Sequence, residues 1–217
     1  MRIAIIGGHG QIALQLTRLL SAHGDAVRAV IRNPAHAGDV EAAGGQPVVL
    51  DVEREGADAL TPVLDGVDAV VFAAGAGPGS GPERKYSVDR DGSVLLAEAA
   101  EKAGVRRFVQ ISTMGAGKPA AGGDESWVAY IDAKTQAEND LRARDLDWTI
   151  LRPGSLGNDP AAGLVRLAAN VPAGSIPRAD VAAVLAELLI TGGAQRQVLE
   201  LVRGETPVAE AVRALAG

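Results

Sequence analysis

The sequence predicts an α/β chain: a doubly wound parallel sheet with helices on both faces and a small C-terminal extension on the substrate side. Short β-branched apolar runs alternate with amphipathic helical stretches, and each parallel crossover needs such a helix to return the chain. A glycine cluster, Gly7-Gly8-His9-Gly10, directly follows the first apolar run. Two glycine- and proline-rich stretches, Ala76–Pro82 and Gly115–Gly123, are expected to be mobile loops. They follow later strands, at the ends where open parallel sheets place their ligands.

Ile3–Ile6 is a short apolar run bounded by glycine, which reads as a buried strand and is too short for a signal-peptide core or a membrane span. Ile12–Ala22 sets Ile12, Leu16, Leu19 and Leu20 on one helical face. Ala26–Ile31 is a second strand, and Ala35–Ala43 a second helix ended by Gly44-Gly45. Pro47–Leu50 is a third strand, followed by a helix over about Glu55–Leu64. Asp68–Phe72 is a fourth strand, and a long helix from Tyr86 to Ala103 stops at Gly104. Arg107–Ser112 is a fifth strand, Trp127–Arg144 a helix and Asp147–Leu151 a sixth strand, all six strands being expected to lie buried. Asp180–Ile190 reads as an amphipathic helix with Asp180 at its N-cap, Gln197–Val202 as a late strand and Val208–Ala216 as a terminal helix. With no repeat and no long linker, residues 1–217 are expected to form one domain, with about 155–217 contributing the substrate side.

Composition narrows the function classes. A chain of 217 residues with 47% hydrophobic and 22% charged residues suits an ordinary globule rather than a disordered chain. The absence of cysteine excludes a disulfide scaffold, a thiolate metal site and a cysteine nucleophile, and fits a reducing compartment, so a cytoplasmic location is expected. A net charge of −6 gives no general attraction for nucleic acid, and neither nucleic acid nor membrane is expected as a partner. His9, His23 and His36 lack metal-ligand spacing, so no metal is expected. The expected partner is a small-molecule substrate, and the expected state a monomer or small homo-oligomer.

Gly7 to Ala13, Gly-Gly-His-Gly-Gln-Ile-Ala, sits between the first strand and the first helix. Gly7 permits a tight turn, Gly10 lets the backbone approach a pyrophosphate, and Ala13 lets the helix press on the sheet. The helix start at Gln11 and Ile12 then offers free N–H groups to an anion. The end of the second strand selects the dinucleotide: an acidic residue there suits the ribose hydroxyls of NAD, an arginine the 2′-phosphate of NADP. Arg32 stands there, with no carboxylate between Val27 and Ala37, so NADP(H) is favoured over NAD(H); the bland alternative is a solvent-facing arginine.

Tyr130 and Lys134 are four apart on the Trp127–Arg144 helix and share a face. A phenol with an ordinary pKa of about 10 exchanges protons poorly near neutrality, and a nearby ammonium stabilises its phenolate and can also bond a nicotinamide ribose. Ser112-Thr113 supplies hydroxyls at the end of the fifth strand.

Together with Asp51-Val52, Ala73-Ala74-Gly75, Arg107 to Thr113, Trp148 to Gly154 and Pro177 to Ala182, these segments resemble the short-chain dehydrogenase/reductase superfamily. The resemblance is to its atypical NAD(P)H-binding members, related to NmrA-like proteins, flavin or biliverdin reductases and nucleotide-sugar epimerases/dehydratases. It spans nearly the whole chain, implies a Rossmann-like fold, and is not specific for a substrate. It implies that Thr113 holds the catalytic hydroxyl position with Ser112 as fallback, that Tyr130 exchanges the substrate proton, and that Lys134 lowers the tyrosine pKa and binds ribose. It further implies Asp51 and Val52 at adenine, Ala73, Ala74 and Gly75 at the adenosine ribose, and Pro153, Gly154, Ser155 and Leu156 near the carboxamide. The chain departs from that pattern at Asp89, where many members carry a relay asparagine, and at Thr113, where many carry serine.

Arg84, Lys85 and Tyr86 could meet an anionic substrate or simply form an exposed helix start, and Trp127 could border the pocket or merely pack. The expected activity is an NADPH-dependent hydride transfer to a small carbonyl, quinone or flavin-like acceptor. The alternatives are a non-catalytic NADP(H) sensor of the NmrA-like kind and a nucleotide-sugar epimerase/dehydratase. The latter ranks last because Ser155–Ile176 and its border offer only Arg166 and Arg178 as cations.

Overall fold

The computed structural model describes residues 1–77 and 79–216; Pro78, inside the expected loop Ala76–Pro82, and Gly217, at the end of the expected domain, lie outside the described residues. Strand β1 (Arg2–Ile6) leads through the glycine loop into α1 (Gln11–His23), which ends at Gly24 in the left-handed region. β2 (Ala26–Ile31) is followed by a 3₁₀ turn over Pro34–His36, capped by the Asn33 side chain, and by α2 (Ala37–Ala42). Next come β3 (Gln46–Val49), α3 (Ala57–Leu60), β4 (Ala69–Phe72) and the single turn α4 (Pro82–Arg84). A π-helical segment, Lys85–Arg90, widens the entrance to α5 (Asp91–Ala103). β5 (Arg107–Ile111), α6 (Glu125–Ala143) and β6 (Asp147–Pro153) complete the expected alternation. The C-terminal part adds β7 (Ser155–Gly157), β8 (Leu164–Ala168), β9 (Ser175–Pro177), α7 (Arg178–Thr191), β10 (Gln197–Arg203), β11 (Thr206–Pro207) and α8 (Val208–Arg213).

One nine-stranded sheet runs in the order β11-β8-β10-β6-β5-β4-β1-β2-β3, and β7 pairs with β9 apart from it. From β3 to β10 every pairing is parallel, whereas β8 runs antiparallel to both β10 and β11. The strand order reverses between β1 and β4, and the crevice at their C-terminal ends is where such sheets bind ligands.

Strand alternation places the core on both faces. Ile3 and Ile5 of β1 pack with Leu16 and Leu20 of α1 and with Val184, Leu185 and Leu188 of α7. Ala4 and Ile6 pack on the other face with Leu60, Leu96 and Leu141. Arg107, at the start of β5, ties β6 to the end of α7: its buried guanidinium donates to the Thr149 hydroxyl (2.7 Å) and to the carbonyls of Asp147 (2.9 Å), Gly193 (3.0 Å) and Leu188 (3.4 Å). Burial pushes this group down to about 10, still far above neutrality, so a cation faces the carbonyl end of α7.

The expected doubly wound α/β class holds, and several expected elements differ in detail. In the mostly parallel sheet the segment after β6 adds β8, which lies between β10 and the two-residue edge strand β11 and runs antiparallel to both. β3 is not buried: it is the far edge, and Gln46 and Val49 are exposed. The helix expected over Glu55–Leu64 shrinks to α3 plus a 3₁₀ turn at Thr61–Leu64, because Pro62 has no N–H to continue the ladder. The expected helix Tyr86–Ala103 starts with the π-helical segment, a distortion that recurs at functional sites.

Candidate functional site

The glycine loop fits a dinucleotide on structural grounds. Gly7 has φ +81°, and a Cβ there would stand 2.6 Å from the Ala74 Cα, so neither turn nor neighbour admits a side chain. The start of α1 has no capping side chain and no acidic residue in its first turn, which leaves its N–H groups free for an external anion. Between the ends of β1, β2, β3 and β4 lies a cavity of about 340 Å³. Its walls include Gly7, Gly10, Arg32, Asp51, Val52, Ala73, Ala74 and Gly75, all of them cofactor candidates from the sequence.

The other candidates lie elsewhere. Gln11 borders a separate open groove with Arg18, Asn158 and Arg178. Ile12 packs against the core under α1. Pro153 is buried at the end of β6, and Ser155 and Leu156 are exposed beyond it. Gly154 donates to the Leu201 carbonyl, and a Cβ on it would fall 2.2 Å from the Gly174 carbonyl oxygen, so close strand packing explains this glycine.

Arg32 projects into the cavity mouth with its side chain 57% exposed, its guanidinium 3.1 Å from Glu53. Glu53 also accepts from Arg84 at 2.7 Å and from the Ser87 hydroxyl at 2.8 Å. The Arg84 bond holds this carboxyl below the usual carboxylate range against the opposing effect of burial, with Ser87 and Arg32 adding to it.

Asp124 caps the N-terminus of α6, its side chain accepting the Trp127 N–H at 2.8 Å. One face of α6 carries Tyr130 and Lys134. The Lys134 ammonium, almost wholly buried, lies 3.1 Å from Asp89 Oδ1, donates to the Ile111 carbonyl at 3.2 Å, and stands 5.8 Å from the Tyr130 ring centre. Burial opposes its charge, yet Asp89, Tyr130 and Glu138 hold it above the ordinary lysine range. Asp89 comes from the π-helical segment, and its Oδ2 accepts the Ala76 N–H at 3.1 Å. Oδ1 has no aligned hydrogen-bond donor, so its contact with Lys134 is an ion pair by proximity. Lys85, from the same segment, reaches 5.5 Å from the Tyr130 ring centre while donating to the Gly77 carbonyl at 2.8 Å. Trp127 lies 5.6 Å from that ring, completing its surroundings.

The two hydroxyls after β5 separate. Ser112 is buried and donates to Glu138 at 2.5 Å. Glu138, itself buried, also pairs with Arg152, whose Nε donates at 2.9 Å. Thr113 is half-buried, and among the described residues its hydroxyl makes only a long 3.4 Å bond to the Met114 carbonyl.

Sequence reasoning missed Glu53, Glu138, Arg152 and the stacked rings of His9 and His36. The Glu138 signal was present, since Tyr130, Lys134 and Glu138 continue one i, i+4 row. The histidine stack joins two separate loops, and nothing local announces it. Among the described residues, no three His, Asp or Glu side chains gather as a metal-binding group, and no helix is long and apolar enough to cross a membrane.

The sequence profile of the NAD(P)H-binding family matches residues 7–191. The chain belongs to this NAD(P)H-binding family. Like its relatives it has an oxidoreductase-like Rossmann fold. It is 34% identical over 216 residues to YhfK of Bacillus subtilis, an uncharacterised sugar epimerase, covering 99% of this chain and 100% of that one. A solved structure from Bacillus halodurans, named as an NAD-dependent epimerase/dehydratase, superposes with a TM-score of 0.92 at 32% identity, covering 99% and 100% of the two chains. ChuY, an anaerobillin reductase of Escherichia coli O157:H7, superposes with a TM-score of 0.78 at 25% identity over 94% of this chain and 97% of its own.

Proposed function

We propose that this NAD(P)H-binding chain is an oxidoreductase of the short-chain dehydrogenase/reductase type that prefers NADP(H) and reduces a small carbonyl, quinone or flavin-like acceptor. The observation that supports it best is the Tyr130–Lys134 face of α6, with Lys134 charged and buried 3.1 Å from Asp89 and the half-buried Tyr130 ring 5.8 Å from its ammonium. A bound nicotinamide supplies or accepts the hydride. Gly7, Gly10 and the N–H groups at Gln11 and Ile12 hold the pyrophosphate, and Arg32 takes the 2′-phosphate. Asp51, Val52, Ala73, Ala74 and Gly75 receive the adenosine half, while Pro153, Gly154, Ser155 and Leu156 border the carboxamide.

Tyr130 donates the proton to the acceptor oxygen in the reducing direction, and Thr113 positions that oxygen with its uncommitted hydroxyl. Lys134 stabilises the phenolate and bonds the ribose, while Asp89 fixes the ammonium. Ser112 supports the site from below through Glu138. Residues from about 155 onward form the substrate side of a single domain, and the cysteine-free composition suits a reducing compartment such as the cytoplasm.

The test is NADPH oxidation with a panel of such acceptors, for the wild type and for Tyr130→Phe, with NADPH affinity measured in parallel. Turnover is expected to fall by about 10²–10⁴-fold while cofactor affinity stays within a few-fold. Equal turnover removes the proton-donor role.

Epimerisation is the second reading, favoured by the names of YhfK and of the Bacillus halodurans structure. It uses the same groups with the cofactor regenerated in place, so it predicts product formation without net NADPH consumption. Arg178, one of two cations available there, already donates to Asn158 at 2.7 Å, which is why reduction ranks first.

A further inference from the structure

Arg84, Lys85 and Tyr86 are consecutive, yet they find different partners where α4 gives way to the π-helical segment. Arg84 pairs with Glu53 at the cavity rim, and the Tyr86 hydroxyl donates to Asp132 at 2.8 Å. Lys85 alone of the three is buried, with 8% of its surface exposed. Its ammonium donates to the Gly77 carbonyl at 2.8 Å and lies 5.5 Å from the Tyr130 ring centre. Among the described residues it pairs with no carboxylate and donates to no second acceptor.

The other buried cations are better provided for. Lys134 faces Asp89 at 3.1 Å, and Arg107 donates to Thr149, Asp147, Leu188 and Gly193. A lysine is almost never buried unless paired, because taking its charge out of water is costly. After one carbonyl bond an ammonium still has N–H groups to give, so Lys85 is set for an anion that the described chain does not supply.

The position of Lys85 points to the acceptor as the source of that anion. Lys85 stands against Tyr130, whose hydroxyl meets the acceptor, whereas the cofactor candidates Gly7, Gly10, Arg32 and Asp51 line the cavity at the ends of β1 to β4. One ammonium balances one negative charge, which matches a carboxylate better than a phosphate close to its dianion. Trp127, 44% exposed and 5.6 Å from the Tyr130 ring, adds a flat apolar wall beside the same ring.

We propose that Lys85 binds a carboxylate carried by the acceptor, so that the substrate is a carboxylate-bearing carbonyl or quinone whose reacting oxygen meets Tyr130. The proposal rests on the reductase reading above and narrows its acceptor class. Lys85 holds the charged end of the substrate, Trp127 lies along its flat part, and Tyr130 and Thr113 hold the oxygen.

The experiment compares para-carboxybenzaldehyde with its methyl ester as acceptors for NADPH oxidation, in the wild type, Lys85→Met and Lys85→Arg. Calorimetric binding of benzoate and of benzamide to the NADPH-loaded protein runs in parallel and needs no turnover. The wild type is expected to favour the acid over the ester by about 10–100-fold in kcat/KM, as a charge-assisted bond does, mostly through KM. Lys85→Met is expected to bring that ratio close to one and Lys85→Arg to restore part of it, with NADPH affinity within a few-fold in both. A wild type that treats acid and ester alike, or a preference that survives Lys85→Met, overturns the inference and leaves the reductase reading intact. Should no acceptor be reduced, the reductase reading falls and binding decides the carboxylate site. Benzoate held more tightly than benzamide by the wild type, and not by Lys85→Met, supports the site; equal binding or none overturns it.

Discussion

The Asp89 carboxylate and the Lys134 ammonium face each other at 3.1 Å with both side chains almost wholly removed from solvent. Where the resemblance implies an asparagine, this chain places a formal charge, and the lysine at its centre is balanced rather than isolated. Removing one partner of a buried pair leaves the other uncompensated, which costs about 3–5 kcal/mol. Lys134→Met is therefore expected to lower the unfolding free energy by that amount in urea titrations, and Asp89→Asn added to it to restore part of the loss. A loss below about 1 kcal/mol would place the pair outside the stabilising core.

The pH dependence of that effect follows from its sign. The folded Lys134 is held above its unfolded value, so its contribution is complete below the ordinary lysine range and fades only as pH rises through the folded value. The stability gap between wild type and Lys134→Met is expected to stay constant from about pH 6 to about 9 and to narrow only in stronger alkali. Narrowing already near neutrality contradicts the balance of charge between Asp89 and Lys134.

Ser112 and Thr113 are adjacent in sequence and opposite in role. Ser112→Ala removes a buried bond to the Glu138 carboxylate and is expected to cost about 1.5–3 kcal/mol of stability. Thr113→Ala is expected to stay within about 1 kcal/mol of wild type in stability while losing turnover. Thermal unfolding and acceptor reduction, measured on both variants, separate the two. The reverse pattern would make Ser112 the substrate hydroxyl.

Glu53 gathers Arg84, Arg32 and Ser87 at the cavity rim, and its carboxyl is held below the ordinary range by Arg84 foremost. Its contribution is thus present above the unfolded carboxylate value and is lost as pH falls through the lower folded one. Glu53→Gln is expected to flatten the acid limb of the stability curve below about pH 4.5 and to cost about 1 kcal/mol at neutrality. An unchanged acid limb contradicts the role of the cluster.

Arg32 contributes the exposed cation of this rim. Arg32→Ala is expected to weaken NADPH by about 10–100-fold, as loss of a charge-assisted phosphate contact does, and to leave NADH within a few-fold. Parallel fluorescence titrations check this, and equal weakening of both nucleotides would assign Arg32 to structure instead.

The parts of the site that were legible in the sequence are those written locally. The glycine loop and the Tyr130–Lys134 spacing each lie within one element, and β1 and β4 announce themselves as the unbroken apolar runs Ile3–Ile6 and Ala69–Phe72. β8 was missed because its alternation of exposed and buried residues belongs to an antiparallel strand, with Arg166 on the exposed face. The split between Ser112 and Thr113 was illegible because extended neighbours point to opposite sides, and only the position of Glu138 decides which side is which. The cluster around Glu53 and the His9–His36 stack each join loops far apart in the chain, so their chemistry exists only once the sheet order has brought β1, β2 and β3 side by side.

The most direct test of the account is titration of the purified chain with NADPH and NADH, followed by nucleotide fluorescence. The account predicts saturable binding of one NADPH per chain, about tenfold or more tighter than NADH. Failure of both nucleotides to bind would contradict it.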